Sequence, residues 1–89
     1  MSTSPAYDLT QAIRGTLHEH GRLAGDVAAL ADEDDLYEAG LTSHASVNLM
    51  LALEERFEVE FPERMLQRRT FASIAAIRRC LLELVEANT

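Results

Sequence analysis

Ser43 is the residue best placed to do chemistry. It stands in the run Gly40-Leu41-Thr42-Ser43-His44, and an apolar-rich stretch, Ala45-Ser46-Val47-Asn48-Leu49-Met50-Leu51-Ala52-Leu53, follows it. Gly40 has no Cβ and so permits a tight turn at positive φ. Thr42 or Ser43 can then cap a helix start by accepting a hydrogen bond from an orphan N–H. A helix N-terminus offers free N–H groups and a partial positive charge, so it tolerates a bound phosphate. A serine hydroxyl displayed there is placed to carry a phosphodiester; taken alone, the spacing reads as a plain helix cap. Two rival chemistries fit less well. Ser43 and His44 are adjacent, and neighbours on a helix point about 100° apart. The Gly-x-Ser-x-Gly elbow of serine hydrolases is absent, which leaves only the distant His18 or His20 as a base. The acidic run Asp32-Glu33-Asp34-Asp35 invites a calcium reading. A helix-loop-helix calcium loop begun at Asp32 would need Gly at its sixth position and Glu at its twelfth, and those positions hold Tyr37 and Ser43. A solvated acidic face is the simpler reading.

The elements that must position Ser43 follow from periodicity. Ser4-Pro5 is a helix start, with Ser4 as cap and Pro5 at the first helical position. Ala6, Leu9, Ile13 and Leu17 recur at helical spacing, and Gly21 can end the helix. Residues 21–42 form a long connection, from which Val27, Ala28, Leu30 and Leu36 can fold back onto the core. A second helix is expected from Ser43 to Phe57. Its stripe Leu49, Met50, Leu53 and Phe57 faces the core, while Val47 and Leu51 fall one turn apart on another face. A surface helix needs only one apolar stripe, so the surplus marks Val47 and Leu51 as a partner-docking face, with Glu54 and Glu55 as its polar rim. Phe57-Glu58-Val59-Glu60-Phe61 alternates like a strand, yet no second strand signal exists to pair with it, so it reads as an extended connector. Pro62 can open a short third helix through Gln67. Thr70 can cap a fourth, with Phe71, Ile74, Ile77, Leu81, Leu84 and Val85 on or near one stripe. The expected fold is therefore all-α: a four-helix bundle with a long first loop and a short third helix.

The bulk numbers bound the rest. The chain has 89 residues, 47% of them hydrophobic, enough for one small domain spanning 1–89 with a modest core. A single cysteine, Cys80, excludes an internal disulfide and suits a reducing cytoplasm. It reads as a packed thiol beside Leu81 rather than a reactive one. Eight arginines, no lysine and fifteen acids give a net charge of −7, which repels nucleic acid and anionic membranes and attracts basic patches on protein partners. Arg64, Arg68, Arg69, Arg78 and Arg79 read as solvated, neutralising nearby acids. The N-terminus shows no secretory pattern, and no apolar stretch approaches the ~18 residues that span a bilayer.

The run from Asp35-Leu36 through Gly40-Leu41 and Ser43 to Leu53-Glu54-Glu55-Arg56-Phe57, continued by Glu58-Val59-Glu60-Phe61-Pro62 and Thr70-Phe71-Ala72-Ser73-Ile74, resembles the acyl carrier protein family. The likeness covers roughly residues 30–82. It implies an acyl-carrier-type bundle in which Ser43 bears 4′-phosphopantetheine, with cargo held as a thioester on the arm. It implies a phosphopantetheinyl transferase as activating partner, using coenzyme A, and a cytoplasmic, monomeric, non-catalytic carrier. Three positions depart from the common pattern. Thr42 stands where Asp is usual, His44 where Leu is usual, and Asn48 where an acid is common. The combination of Leu41-Thr42-Ser43, Ala45-Ser46-Val47, Leu49-Met50-Leu51 and Thr70-Phe71-Ala72-Ser73-Ile74 is similar to the stand-alone aminoacyl carrier proteins. That implies loading with a small amino acid, glycine or alanine, by a synthetase-like amino acid:carrier protein ligase, and handover to a downstream acyl- or aminoacyl-transferring enzyme. Thr42, His44, Val47, Asn48, Leu51, Glu54 and Glu55 are then the docking residues. A fatty-acid or polyketide carrier, and an unmodified helical adaptor, are the alternatives.

Overall fold

A computed structural model describes residues 5–21, 23 and 25–87. The expected cap Ser4 lies outside them. The first helix, α1 (Pro5–His20), buries Leu9, Ile13 and Leu17, spaced four residues apart along one face. It stops at Gly21, whose N–H donates to Leu17 O at 2.7 Å. A Cβ at Gly21 would lie 2.7 Å from that same carbonyl oxygen, so the chain can turn this closely only at glycine.

The connection to the next helix is folded back by its apolar residues. Val27, Leu36 and Leu41 are buried and Leu30 is half-buried. Ala28, expected to join them, is exposed, because it belongs to a one-turn 3-10 helix, Val27–Ala29, whose inward position is taken by Val27. The acids here make turns. Asp34 accepts from Ala31 N–H at 2.8 Å and Asp35 from Tyr37 N–H at 2.9 Å.

The second helix, α2 (Ser43–Phe57), has the expected limits. Ala45, Leu49 and Leu53 are buried on its core face, with Met50 and Phe57 half-buried beside them. It ends where Glu58 turns left-handed at φ 53°. Residues 59–61 then form an irregular connector, with Val59 and Phe61 buried and Glu60 exposed. No strand occurs among the described residues, so the alternating segment is a connector, but a shorter one than expected: Phe57 still belongs to α2 and Glu58 is left-handed.

The helix count differs from expectation. Among the described residues there are three α-helices, and the short third helix expected over 62–67 is a 3-10 turn, Glu63–Met65. Gln67 is extended at φ −132°, which interrupts the winding before a second 3-10 turn, Arg68–Phe71. Thr70 does not cap the last helix; it is buried inside this second turn. The last helix, α3 (Ile74–Ala87), begins one turn later, where Ser73 Oγ accepts from Ala76 N–H at 3.0 Å. Ile74, Ile77 and Leu81 are fully buried, and α3 packs against α1, which also packs against α2. One contiguous core results, with the Phe61 and Phe71 rings 5.6 Å apart.

Candidate functional site

Gly40 adopts φ 114°, and its N–H closes a turn onto Tyr37 O at 3.1 Å. That turn delivers the chain to α2 with Leu41 buried as an anchor. Thr42 is the cap: its Oγ1 accepts from Ala45 N–H at 3.0 Å, and its carbonyl accepts from Ser46 N–H at 2.9 Å. Ser43 is therefore the first helical residue, exposed, and no hydrogen bond engages its hydroxyl among the described residues. The N–H groups of Ser43 and His44 belong to the first turn, where no intrahelical acceptor exists. An unengaged hydroxyl beside two outward N–H groups at the positive end of a helix is a chemical fit for a serine-linked phosphodiester.

Ser43 opens onto a groove of about 490 Å³ between α2 and the 3-10 segment, lined also by Tyr37, Ser46, Val47, Met50, Leu66, Gln67, Arg68 and Phe71. None of the histidines lines it, so the Ser43 hydroxyl has no base within its own groove. Arg68 lies with its guanidinium carbon 3.8 Å from the Tyr37 ring centre, and Tyr37 Oη donates to Arg68 O at 2.7 Å. Burial pushes the Tyr37 phenol upward, against the opposing pull of Arg68.

Of the residues expected to dock partners, Val47 and Leu51 are 50% and 52% exposed, off the core stripe as the helical phase requires. They lead into different depressions. Val47 lines the Ser43 groove, whereas Leu51, with Asn48 and Glu55, lines a cleft against the end of α1 that includes Thr16 and His20. His44 is exposed at the helix mouth. Glu54 is not a freely solvated charge. It is half-buried, and its Oε2 accepts from Phe61 N–H at 2.8 Å, pinning the connector to α2. Thr42 has a structural task, the cap, in addition to any contact it makes.

Sequence reasoning did not find Tyr37, Leu66 or Arg68 as neighbours of the site. Leu66 is 50% exposed, an apolar side chain among arginines, and that incongruity was its one available signal. Cys80 is half-buried, and burial pushes its thiol upward, consistent with a packed group. Among the described residues, no three His, Cys, Asp or Glu side chains gather as a metal site, and no helix is long and apolar enough to cross a membrane.

A small helical bundle that displays an unengaged serine at a helix mouth has the layout of a carrier for a phosphodiester-linked group. The chain belongs to the phosphopantetheine attachment site family, whose profile matches residues 8–77, and its prosthetic group is 4′-phosphopantetheine. An aminoacyl carrier protein of Agrobacterium fabrum (strain C58) is 52% identical over 69 residues, covering 78% of this chain and 83% of the relative. The fold is similar to that of a carrier protein from Agrobacterium tumefaciens, in a crystal structure with an engineered Bradyrhizobium japonicum glycine:[carrier protein] ligase and ATP. The TM-score is 0.83 at 47% identity, covering 85% of this chain and 99% of the other. A glycylated carrier protein in complex with the Bradyrhizobium japonicum glycine:[carrier protein] ligase is similar at a TM-score of 0.64 and 28% identity, covering 86% of this chain and 99% of that one.

Proposed function

We propose that Ser43 bears the arm and that the chain carries glycine or another small amino acid as a thioester, loaded by a synthetase-like amino acid:carrier protein ligase. The observation that supports it most is the unengaged, exposed Ser43 hydroxyl in a chain 52% identical to an aminoacyl carrier protein. When bound, 4′-phosphopantetheine supplies a terminal thiol on which cargo is held as an activated acyl donor. The protein's own work is simpler. Ser43 Oγ forms the new bond to the coenzyme A phosphorus, the adenosine bisphosphate portion departs, and the hydroxyl proton passes to a base of the transferase. The N–H groups of Ser43 and His44 at the α2 mouth would hold the resulting diester anion. Val47 and Leu51, with Glu55 at the margin, offer apolar contact to enzymes that bind briefly, while His44 and Asn48 replace the larger apolar and acidic residues that fatty-acid carriers present. Catalysis belongs to the partners: transferase, ligase and a downstream aminoacyl-transferring enzyme. A cytoplasmic setting, where coenzyme A and ATP are at hand, suits this work.

Intact-mass measurement tests the reading in two steps. Incubation with coenzyme A and a transferase should add one prosthetic group to the wild type. The resulting holo-protein, offered ATP, glycine or alanine and a glycine:[carrier protein] ligase, should gain the amino acid. The same protein offered malonyl-transfer and elongation enzymes should not be extended. Efficient elongation without amino-acid charging would make the chain a carrier of acyl chains, and no mass gain at the first step would make it an unmodified adaptor.

A further inference from the structure

Arg68, like Arg56, Arg69 and Arg79, forms no salt bridge among the described residues, and it differs from those three in being stacked on an aromatic ring. Arg14 and Arg78 hold Asp32, and Arg64 holds Glu83 at 2.8 Å, whereas Arg68 pairs with no carboxylate among the described residues, in a chain with fifteen acids. It is nonetheless held in place. The Tyr37 ring supports its guanidinium face, and the Tyr37 hydroxyl grips its backbone carbonyl, a two-point contact across 31 residues of sequence. Stacking uses the face of the guanidinium and leaves its edge N–H donors free. This cation lines the groove that Ser43 also lines, and the remaining lining is largely apolar: Val47, Met50, Leu66 and Phe71. A matching occupant needs an anion next to an apolar group, with polar groups for Ser46 and Gln67 farther along, tethered within reach of Ser43.

We propose that Arg68, stacked on Tyr37, is a positioning residue for the protein's own arm: it takes a phosphodiester oxygen and lays the pantetheine portion along the Val47–Leu66 side of the groove. This rests on Ser43 being the attachment residue. The arm is then partly held between loadings rather than wholly free in solvent, and a ligase draws it from the groove.

Holo-protein made with coenzyme A and a transferase, and verified by intact mass, is compared with apo-protein by amide, methyl and phosphorus NMR, with no other protein present. In the wild type, gaining the arm should shift the Tyr37, Leu66 and Arg68 amides and give contacts between the pantetheine methyls and Val47 and Leu66. In Arg68→Gln, the ratio of held to free arm should fall about threefold to fivefold, the effect of losing an exposed charge pair. Arg68→Lys should fall between, because a point charge replaces the planar fork. Salt gives the same reading without mutation: at about 1 M, charges are screened within about 3 Å and the contacts should weaken. An attached arm whose shifts stay confined to residues 43–46, or whose contacts are indifferent both to Arg68→Gln and to salt, overturns the proposal and leaves the carrier reading intact. Absence of the mass gain overturns both.

Discussion

In the proposed reading Thr42 and Ser43 divide two tasks that one side chain could not perform together. A hydroxyl that accepts from Ala45 N–H is committed to the helix, and that is the position of Thr42. One residue later, Ser43 is exposed with its hydroxyl unengaged among the described residues, as the proposed attachment to phosphorus requires. The stability of the fold and the chemistry of the site should therefore separate under mutation. Ser43→Ala should melt with the wild type and never gain the mass of the prosthetic group. Thr42→Ala should still be modified but lose about 0.5–2 kcal/mol as its cap disappears, and Thr42→Ser should recover most of that. Denaturant titration with intact-mass analysis reads both effects; modification of Ser43→Ala, for instance at the neighbouring Ser46, would remove Ser43 from the role proposed for it. The place of Ser43 at the helix mouth was legible in sequence, because glycine, cap and helix are consecutive there. The Tyr37–Arg68 contact beside it was not: its members are 31 residues apart and follow no local spacing.

Helix α2 is the element on which the reading turns, and its phase is testable. Leu53 is fully buried and Leu51 is 52% exposed, two residues away on the same helix. Leu53→Ala should cost about 2–5 kcal/mol through the cavity it leaves. Leu51→Gln should change stability by no more than about 0.5 kcal/mol, yet slow charging by the ligase if this face docks enzymes. Glu54 gives a third expectation for this element. Glu54→Ala removes the acceptor of the Phe61 N–H, and because that donor is partly buried the loss should be about 1–3 kcal/mol, seen as faster hydrogen exchange at Phe61. The limits of α2 were readable because period and cap agree there, whereas the connector starts two residues later than its alternation suggested, after Phe57 closes the helix and Glu58 turns left-handed. The segment after Pro62 was not. Glu63-Arg64-Met65-Leu66-Gln67 contains good helix formers, but Gln67 turns extended and Met65 goes to the core after a single turn. Thr70 and Ser73 are both capping residue types three positions apart. Packing chooses between them: Thr70 and Phe71 are buried, with Phe71 against Phe61, so the cap falls to Ser73.

At the scale of the whole molecule, one carboxylate ties the long connection to two helices. Asp32 Oδ1 accepts from Arg14 of α1 at 2.7 Å and Oδ2 from Arg78 of α3 at 2.9 Å. Arg14 also donates to Val27 O at 3.0 Å, and Arg78 to Thr10 Oγ1 at 2.9 Å. The backbone reinforces the clamp, since Ala75 N–H donates to Asp32 O at 2.9 Å and Leu36 N–H to Ala72 O at 2.7 Å. The sequence presented Asp32 as one of several solvated acids, because nothing in its neighbourhood distinguishes it and Arg14 lies 18 residues away. The clamp holds the segment that leads to Gly40 and the α2 mouth, so it bears on the site through the path of the chain. Hydrogen bonds from Arg78 and then Arg14 hold the Asp32 carboxyl below its ordinary value of 3.8. A carboxylate depressed on folding adds stability that is fully present above its unfolded value and is lost as pH falls through the lower, folded one. Wild-type stability should therefore decline below about pH 4, in part through Asp32. Asp32→Asn should be less stable at neutral pH, by about 1 kcal/mol because the side chain is 37% exposed and water screens the pairs. It should also decline less steeply in acid, so that the two stability curves converge as pH falls. Urea unfolding across pH 2–7 measures both slopes. Parallel curves would mean that Asp32 is held by shape alone, and that its two arginines contribute nothing through charge.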